Sequence, residues 1–206
     1  MEKLDTMIYL KRTACLWMLA LFGAVGCASD GAAQRDPYDT LPADPGRDTT
    51  LARQFNDQAV EKLEAGDFAG AEKLLREALY QDVLFGPAHN HLGKIYYHQQ
   101  KFYLAAWEFQ YAIKLMPRMP EPRNNLGLVF ESVGKRDNAV ATYEQATDLA
   151  PDTAEYICNL ASAQIRRGDD DAAVRALFEE LIMKETRPAW AQWARERLVM
   201  LNAKEP

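Results

Sequence analysis

HLGKIYYHQQKFYLAAWEFQYAIKLMP (residues 91–117) and NLGLVFESVGKRDNAVATYEQATDLAP (residues 125–151) are one pattern written twice, 34 residues apart. Followed outward, the pattern occupies residues 52–187 four times, with no insertion or deletion. Gly66, Gly134 and Gly168 share one phase, and Gln100 takes the remaining place. Five residues later comes an alanine (Ala71, Ala105, Ala139, Ala173), and four after that a large apolar residue (Leu75, Phe109, Tyr143, Leu177). Such self-similarity predicts identical helical units stacked side by side, an architecture that builds binding surfaces.

The unit reads as helix, tight turn, helix, short loop. Its boundaries fall at 52–85, 86–119, 120–153 and 154–187. First helices are predicted near 53–65, 87–99, 121–133 and 155–167, second helices near 68–81, 102–115, 136–149 and 170–183. Where the two helices of a unit cross closely a small residue is required, and Ala59, Gly93, Gly127 and Ala161 supply it. Ala78, Ala112 and Ala146 let the next unit approach, and Glu180 breaks that series. Tyr96, Phe130, Phe68 and Phe102 fill the gaps. The phase of Gly66 suits a left-handed helix end. Pro117 and Pro151 stop two second helices. A coiled coil is excluded because helix breakers recur every half-period. Residues 188–204 (PAWAQWARERLVMLNAK) begin a fifth unit and stop after one helix. They read as a cap, with Trp190, Trp193, Leu198 and Leu201 against unit four and Arg195, Glu196 and Arg197 outward.

Ahead of the repeats lies a targeting segment. Lys3, Lys11 and Arg12 precede a 13-residue apolar run, TACLWMLALFGAV (13–25), too short for an ordinary membrane-spanning helix. It ends in Ala24-Val25-Gly26-Cys27, which resembles a bacterial lipobox, with Ala24 where leucine is commonest. The resemblance implies a lipoprotein signal peptide over 1–26 and lipidation of Cys27. The alternative is an ordinary secretory signal cut near Ala28. Residues 27–50, rich in Pro, Asp, Gly and Thr, sustain no periodicity and read as a flexible tether. Of three cysteines only Cys158 falls in the repeats, where a buried helical place is expected.

HLGKIYY…FYLAAWEFQYAIKLMP and NLGLVF…GKRDNAVATYEQATDLAP resemble the tetratricopeptide repeat. The resemblance covers about two thirds of the chain. It implies an all-α, right-handed superhelix of four helix-turn-helix repeats plus a C-terminal capping helix. Units one and four match less closely and carry Val83 and Glu185 in place of the terminal proline, as outer units of a solenoid do.

Stacking superposes equivalent side chains, so recurrence at 34 residues makes ladders along the first helices. Asn56, Asn90 and Asn124 form one, with Cys158 in fourth place. Asp57, His91, Asn125 and Asn159 form the next. Amides both donate and accept, which suits holding the backbone of an extended peptide. By resemblance, these phases and those of Lys94, Tyr97, His98 and Arg166 face the concave groove. Family members that clamp a C-terminal carboxylate place lysine and asparagine on the first helix. Asn56 and Val60 stand there, so that clamp is not expected.

No catalytic constellation or phosphate loop is present in the sequence, so the expectation is a protein that is not an enzyme and uses no cofactor or small-molecule substrate. His89, His91 and His98 share one helix without a completing carboxylate or cysteine, so no metal is expected. Net charge of −6 argues against nucleic acid. The functional expectation is a lipid-anchored scaffold facing the periplasm, at the outer membrane, binding a protein or peptide partner. It resembles the pilotin lipoproteins of type IV or Tad-type pili, whose partner is a secretin. The alternatives are an adaptor for peptidoglycan or envelope enzymes and a membrane-tethered regulatory module.

Overall fold

In the structure, a computed structural model, residues 46–169, 171–184 and 188–202 are described. The expected targeting segment, Cys27 and most of the expected tether lie outside them, as do Asp170 and residues 185–187 and 203–206. The described residues form nine helices and no strand: α1 (Thr49–Glu64), α2 (Phe68–Gln81), α3 (Gly86–His98), α4 (Phe102–Leu115), α5 (Glu121–Ser132), α6 (Arg136–Leu149), α7 (Ala154–Arg167), α8 (Asp171–Lys184) and α9 (Pro188–Asn202). Successive helices pack in antiparallel pairs to give a superhelical stack. First helices α1, α3, α5 and α7 also touch one another across unit boundaries, whereas the second helices have no comparable contact. The first helices therefore line the inner wall and the second helices the outer one. No described helix is long and apolar enough to cross a membrane.

Local chemistry sets the helix ends. Asp48 caps α1 by accepting from the Leu51 N–H at 2.8 Å, so α1 starts at Thr49, four residues before the expected 53. Asp67 caps α2 through the Gly70 N–H at 2.9 Å. Gly66, Gly134 and Gly168 adopt φ of +77°, +75° and +91° at the inter-helix turns. Gln100 is held at +58° in the same place, so the backbone geometry overrides the side-chain penalty of about 1–2 kcal/mol. Unit one lacks the terminal proline, and Asp82 does its work. Its buried carboxylate accepts from the Leu84 N–H at 3.0 Å and from Thr49 Oγ1 at 2.8 Å, with Arg47 at 3.5 Å. This binds the start of α1 to the loop that ends α2.

Inside each hairpin, small residues meet large ones as the periodicity predicts. A Cβ at Gly93 would lie 2.6 Å from the Phe109 ring, and one at Gly127 would lie 2.5 Å from Tyr143. Unit one fills the same crossing with Ala59 and Leu75, both fully buried. The chain thus uses glycine opposite an aromatic ring and alanine opposite leucine, holding the combined volume near constant.

Unit four departs from the strict period. After Gly66, Gln100 and Gly134 the second helix begins two residues on, and in unit four α8 is described over Asp171–Lys184, Asp170 lying outside the described residues. The buried stripe, however, is displaced by one residue. Val174, Phe178 and Leu181 are enclosed, and Leu177, the expected core residue, is only half-buried. In the strict phase Glu180 would enter the core as an unmatched carboxylate, and a one-residue shift replaces it with Leu181. Arg167 pairs with Asp169 at the turn that follows α7. Helix α9 covers this unit as expected. Ala191, Ala194 and Leu201 are buried, and Trp193 meets Phe178 edge-on at 5.5 Å. Arg195, Glu196 and Arg197 are exposed, and the Trp190 side chain lies outside the described residues.

The glycine–aromatic crossing is tested by a double-mutant cycle in urea. Gly93→Ala gains helix propensity but overpacks Phe109, so a net loss of about 1–2 kcal/mol is expected. Adding Phe109→Leu, which reproduces the Ala59–Leu75 pair, should recover part of that loss. Additive losses would contradict the crossing.

Candidate functional site

The inner wall is the candidate site, and all but one of the polar pairs described on it follow one rule, Lys94 with Glu121 being the exception. The side chain at position i on one first helix meets position i+35 on the next. Asn56 Oδ1 accepts from His91 Nδ1 at 2.8 Å, Asn90 Oδ1 from Asn125 Nδ2 at 3.0 Å, and Asn124 Oδ1 from Asn159 Nδ2 at 2.8 Å. Tyr97 Oη and Ser132 Oγ stand 3.2 Å apart, and Arg166 Nε donates to Glu131 Oε1 at 2.9 Å, each again 35 apart. The offset is one repeat plus one residue, because a helix stacked on its neighbour brings adjacent phases, not identical ones, face to face. The fourth pair of the amide series is Cys158 and Trp193, and both belong to the apolar cluster of unit four and the cap. The polar ladder ends where an apolar seal begins.

This corrects the expectation for Asn56, Asn90 and Asn124. All three are buried, Asn124 with 1% of its surface exposed, and Asn125 is buried too. They are bonded between layers and do not line the groove as peptide contacts. Burial follows from energetics: each amide inside the stack must be matched, and its partner on the next helix does so. Asn159, His91, Lys94 and Tyr97 are half-buried, and His98 and Arg166 are exposed. His98 stacks on Phe68, ring centres 4.0 Å apart.

The groove cations are also matched. Lys94 binds Glu121, and Arg166 binds Glu131, which accepts in addition from Tyr143 Oη at 3.0 Å. Burial pushes the Glu121 carboxyl up, but Lys94, His91 and Asn90 more than reverse this and hold it below its ordinary value. Burial, with Glu131 beside it, drives the Tyr143 hydroxyl strongly up. His91 is pulled down to about 4, by burial first and then by the Lys94 ammonium, with Glu121 and Asp57 opposing. It is therefore neutral and acts as a hydrogen-bond donor to Asn56. The wall residues that sequence reasoning missed are Glu121, Glu131 and Ser132. Reading each phase against the next phase of the following unit would have found Glu131 and Ser132, whereas Glu121, 27 residues after Lys94, lies outside that rule.

The three histidines go to three separate contacts. His89 is buried, donating from Nε2 to the Val83 carbonyl at 2.8 Å with Nδ1 2.6 Å from Glu108, and so serves packing inside the stack. Among the described residues no group of three or more His, Cys, Asp or Glu side chains is placed to hold a metal ion. Cys158 is buried.

The tetratricopeptide repeat family matches residues 56–120 and 124–191. No curated protein matches the chain. Solved structures do. The first tetratricopeptide domain of Spaghetti (RPAP3), bound to the HSP90 peptide SRMEEVD, superposes at TM-score 0.58 with 16% identity, over 61% of this chain and 100% of that one. MamA from Desulfovibrio magneticus RS-1, residue 41 to the end, superposes at 0.57 with 16% identity over 64% and 74% of the two chains. A further MamA structure gives 0.57 with 20% identity over 72% and 81%. At these identities the likeness concerns the fold.

The His91–Asn56 bond yields a pH test. Between about pH 6.5 and about 4 the unfolded chain takes up a proton at residue 91 that the folded chain refuses, so stability is complete above this window and falls as pH drops through it. His91→Asn puts in the residue used by the next two units and removes that proton. Its melting temperature should fall less than the parent's between pH 7 and pH 4.5. Glu72, lowered from 4.5, acts below that range and in both proteins, and Glu121 is held down mainly by Lys94, which both proteins keep. Parallel melting curves across the window would exclude the neutral imidazole.

Proposed function

This chain belongs to the tetratricopeptide repeat family, and we propose that it is a lipid-tethered scaffold of a bacterial envelope that holds an extended segment of another protein along its inner wall. Members of this family are protein-interaction modules, and no catalytic family matches the chain. One observation carries the groove reading. The first helices are stitched together by side-chain bonds at every unit boundary from α1 to α7, which leaves a preorganised wall whose ordering cost is met before a ligand arrives.

The same bonds define the ligand's chemistry. Lys94 and Arg166 are neutralised by Glu121 and Glu131, and the amides are bonded between layers. An acidic, carboxylate-terminated peptide such as the one bound by the Spaghetti domain would find these cations already paired. A largely uncharged extended segment, held by shape and by His98 with the open edges of Tyr97 and Asn159, fits better. For position in the cell, the apolar run before Ala24-Val25-Gly26-Cys27 supports acylation at Cys27, and Ala28 after it favours the outer membrane. Repeats, tether and lipobox together support a pilotin-like part in assembling or targeting an envelope complex, with a secretin as partner.

Two measurements test this. Mass spectrometry of the membrane fraction should find the N-terminus at Cys27 carrying acyl chains, and an intact Met1 would remove the lipoprotein reading. A photoreactive residue at His98, exposed on the wall, should capture one protein several-fold more efficiently than the same residue at Glu144, exposed on α6. Capture of a secretin supports the pilotin role, whereas a murein hydrolase would replace it with the adaptor role. Equal capture at both positions would rule out the groove.

A further inference from the structure

On the outer wall, α4 differs from every other second helix. Its exposed residues, with the preceding Lys101, are Tyr103, Leu104, Trp107, Gln110 and Lys114. Tyr103 is 80% exposed, Trp107 62% and Leu104 44%. At 100° per residue Tyr103, Trp107, Gln110 and Lys114 form one stripe about 16 Å long. Leu104 flanks it, and Lys101 stands at its N-terminal end. The one acid on the helix, Glu108, is half-buried against His89. By contrast α2 exposes Glu77, α6 exposes Asp137, Glu144 and Asp148, and α8 exposes Glu179. In a chain of net charge −6, this is the second helix whose described outward face shows aromatic rings and ammonium groups but no carboxylate.

Packing within the stack does not require these rings to be large. The equivalent positions are Ala69 and Lys73 in unit one and Asp137 and Ala141 in unit three. Tryptophan and tyrosine carry an apolar body with a polar handle, which suits a boundary where one side is apolar and the other wet. Lysines stand at both ends on flexible stems that suit anionic groups: Lys114 is exposed, and the Lys101 ammonium lies 5.8 Å from the Tyr96 ring centre, a cation–ring contact it would exchange for a phosphate.

We propose that α4 rests on the anionic surface of a bilayer, with Tyr103, Leu104 and Trp107 at headgroup level and Lys101 and Lys114 on lipid phosphates. This rests on the lipid-tether reading for proximity only. On that reading only 20 residues separate Cys27 from Asp48, so the folded part is kept near the bilayer and a weak surface contact would be repeatedly engaged. Docked in this way, the domain turns α4 toward the membrane and the inner wall of first helices away from it, open to a partner.

The test uses the full chain in phosphatidylcholine–phosphatidylglycerol vesicles, with Tyr103→p-benzoylphenylalanine and, as a control, the same residue at Gln145 on α6. Irradiation should give lipid adducts at position 103 at least fivefold above the control. The yield should fall at least fivefold in pure phosphatidylcholine and in the Lys101→Gln/Lys114→Gln background. Equal yield in neutral vesicles, a yield at the control level, or adducts to a second copy or another protein would each overturn the proposal. Circular dichroism confirms the fold of each variant, and the exposed Leu104→Ser/Trp107→Ser pair should give the same loss through the apolar part. The mass of the Cys27 peptide is read from cell membranes carrying the same variant. Acylated Cys27 without lipid adducts removes the α4 proposal alone, and adducts with an intact Met1 remove the tether reading alone.

Discussion

A helical hairpin built from this sequence leaves one apolar face open, so every unit depends on the register in which its neighbour lands. Two kinds of contact set that register, and they divide the work. Within a hairpin, close crossings such as Gly93 on Phe109 bring the helices to one distance and fix their volume. Between hairpins, a continuous cluster running from Ala52 through Leu92 to Val129 supplies the burial. Apolar faces alone tolerate sliding, because leucine is nearly as content against one methyl as another. Amides are not so permissive. Asn90 and Asn125, or Asn124 and Asn159, meet at one offset, and any slip leaves a buried donor and acceptor unmatched, at about 1–3 kcal/mol each. The polar ladder therefore contributes mainly by excluding alternatives.

Helix type, order and the second-helix boundaries 68–81, 102–115 and 136–149 were legible in the sequence because small, large and breaker residues recur together at one period. The left-handed turn at Gln100 was legible for the same reason: three glycines at its phase reveal a backbone demand that glutamine conceals. Unit four was not, since Ala173 and Leu177 keep the period while the stripe Val174–Phe178–Leu181 competes one residue away. Only the exclusion of Glu180 from the core decides between them. Nor was the fate of the asparagines legible. Periodicity says which residues superpose in a perfect stack, and the observed contacts join neighbours one residue out of phase. A donor-acceptor side chain serves a ligand or an adjacent layer equally well, and burial alone discriminates.

The consequence for recognition is that the wall has spent most of its polar capacity on itself. An asparagine already bonded to the next layer gains little by turning to a peptide, because one hydrogen bond is exchanged for another. Lys94 and Arg166, paired and partly exposed, hold their carboxylates with only about 0–1 kcal/mol each, but a ligand anion must still displace Glu121 or Glu131 and leave that carboxylate without its partner. Affinity on such a wall comes from shape and from the rigidity the ladder imposes, with charge contributing little to either the energy or the steering of encounter. The outer wall shows the opposite arrangement. On α4 the rings of Tyr103 and Trp107 are open and Lys114 is exposed beside them, so groups able to make new contacts lie on the face turned away from the groove. Under the proposed reading, the surface that positions the scaffold is thereby separate from the surface that selects its partner.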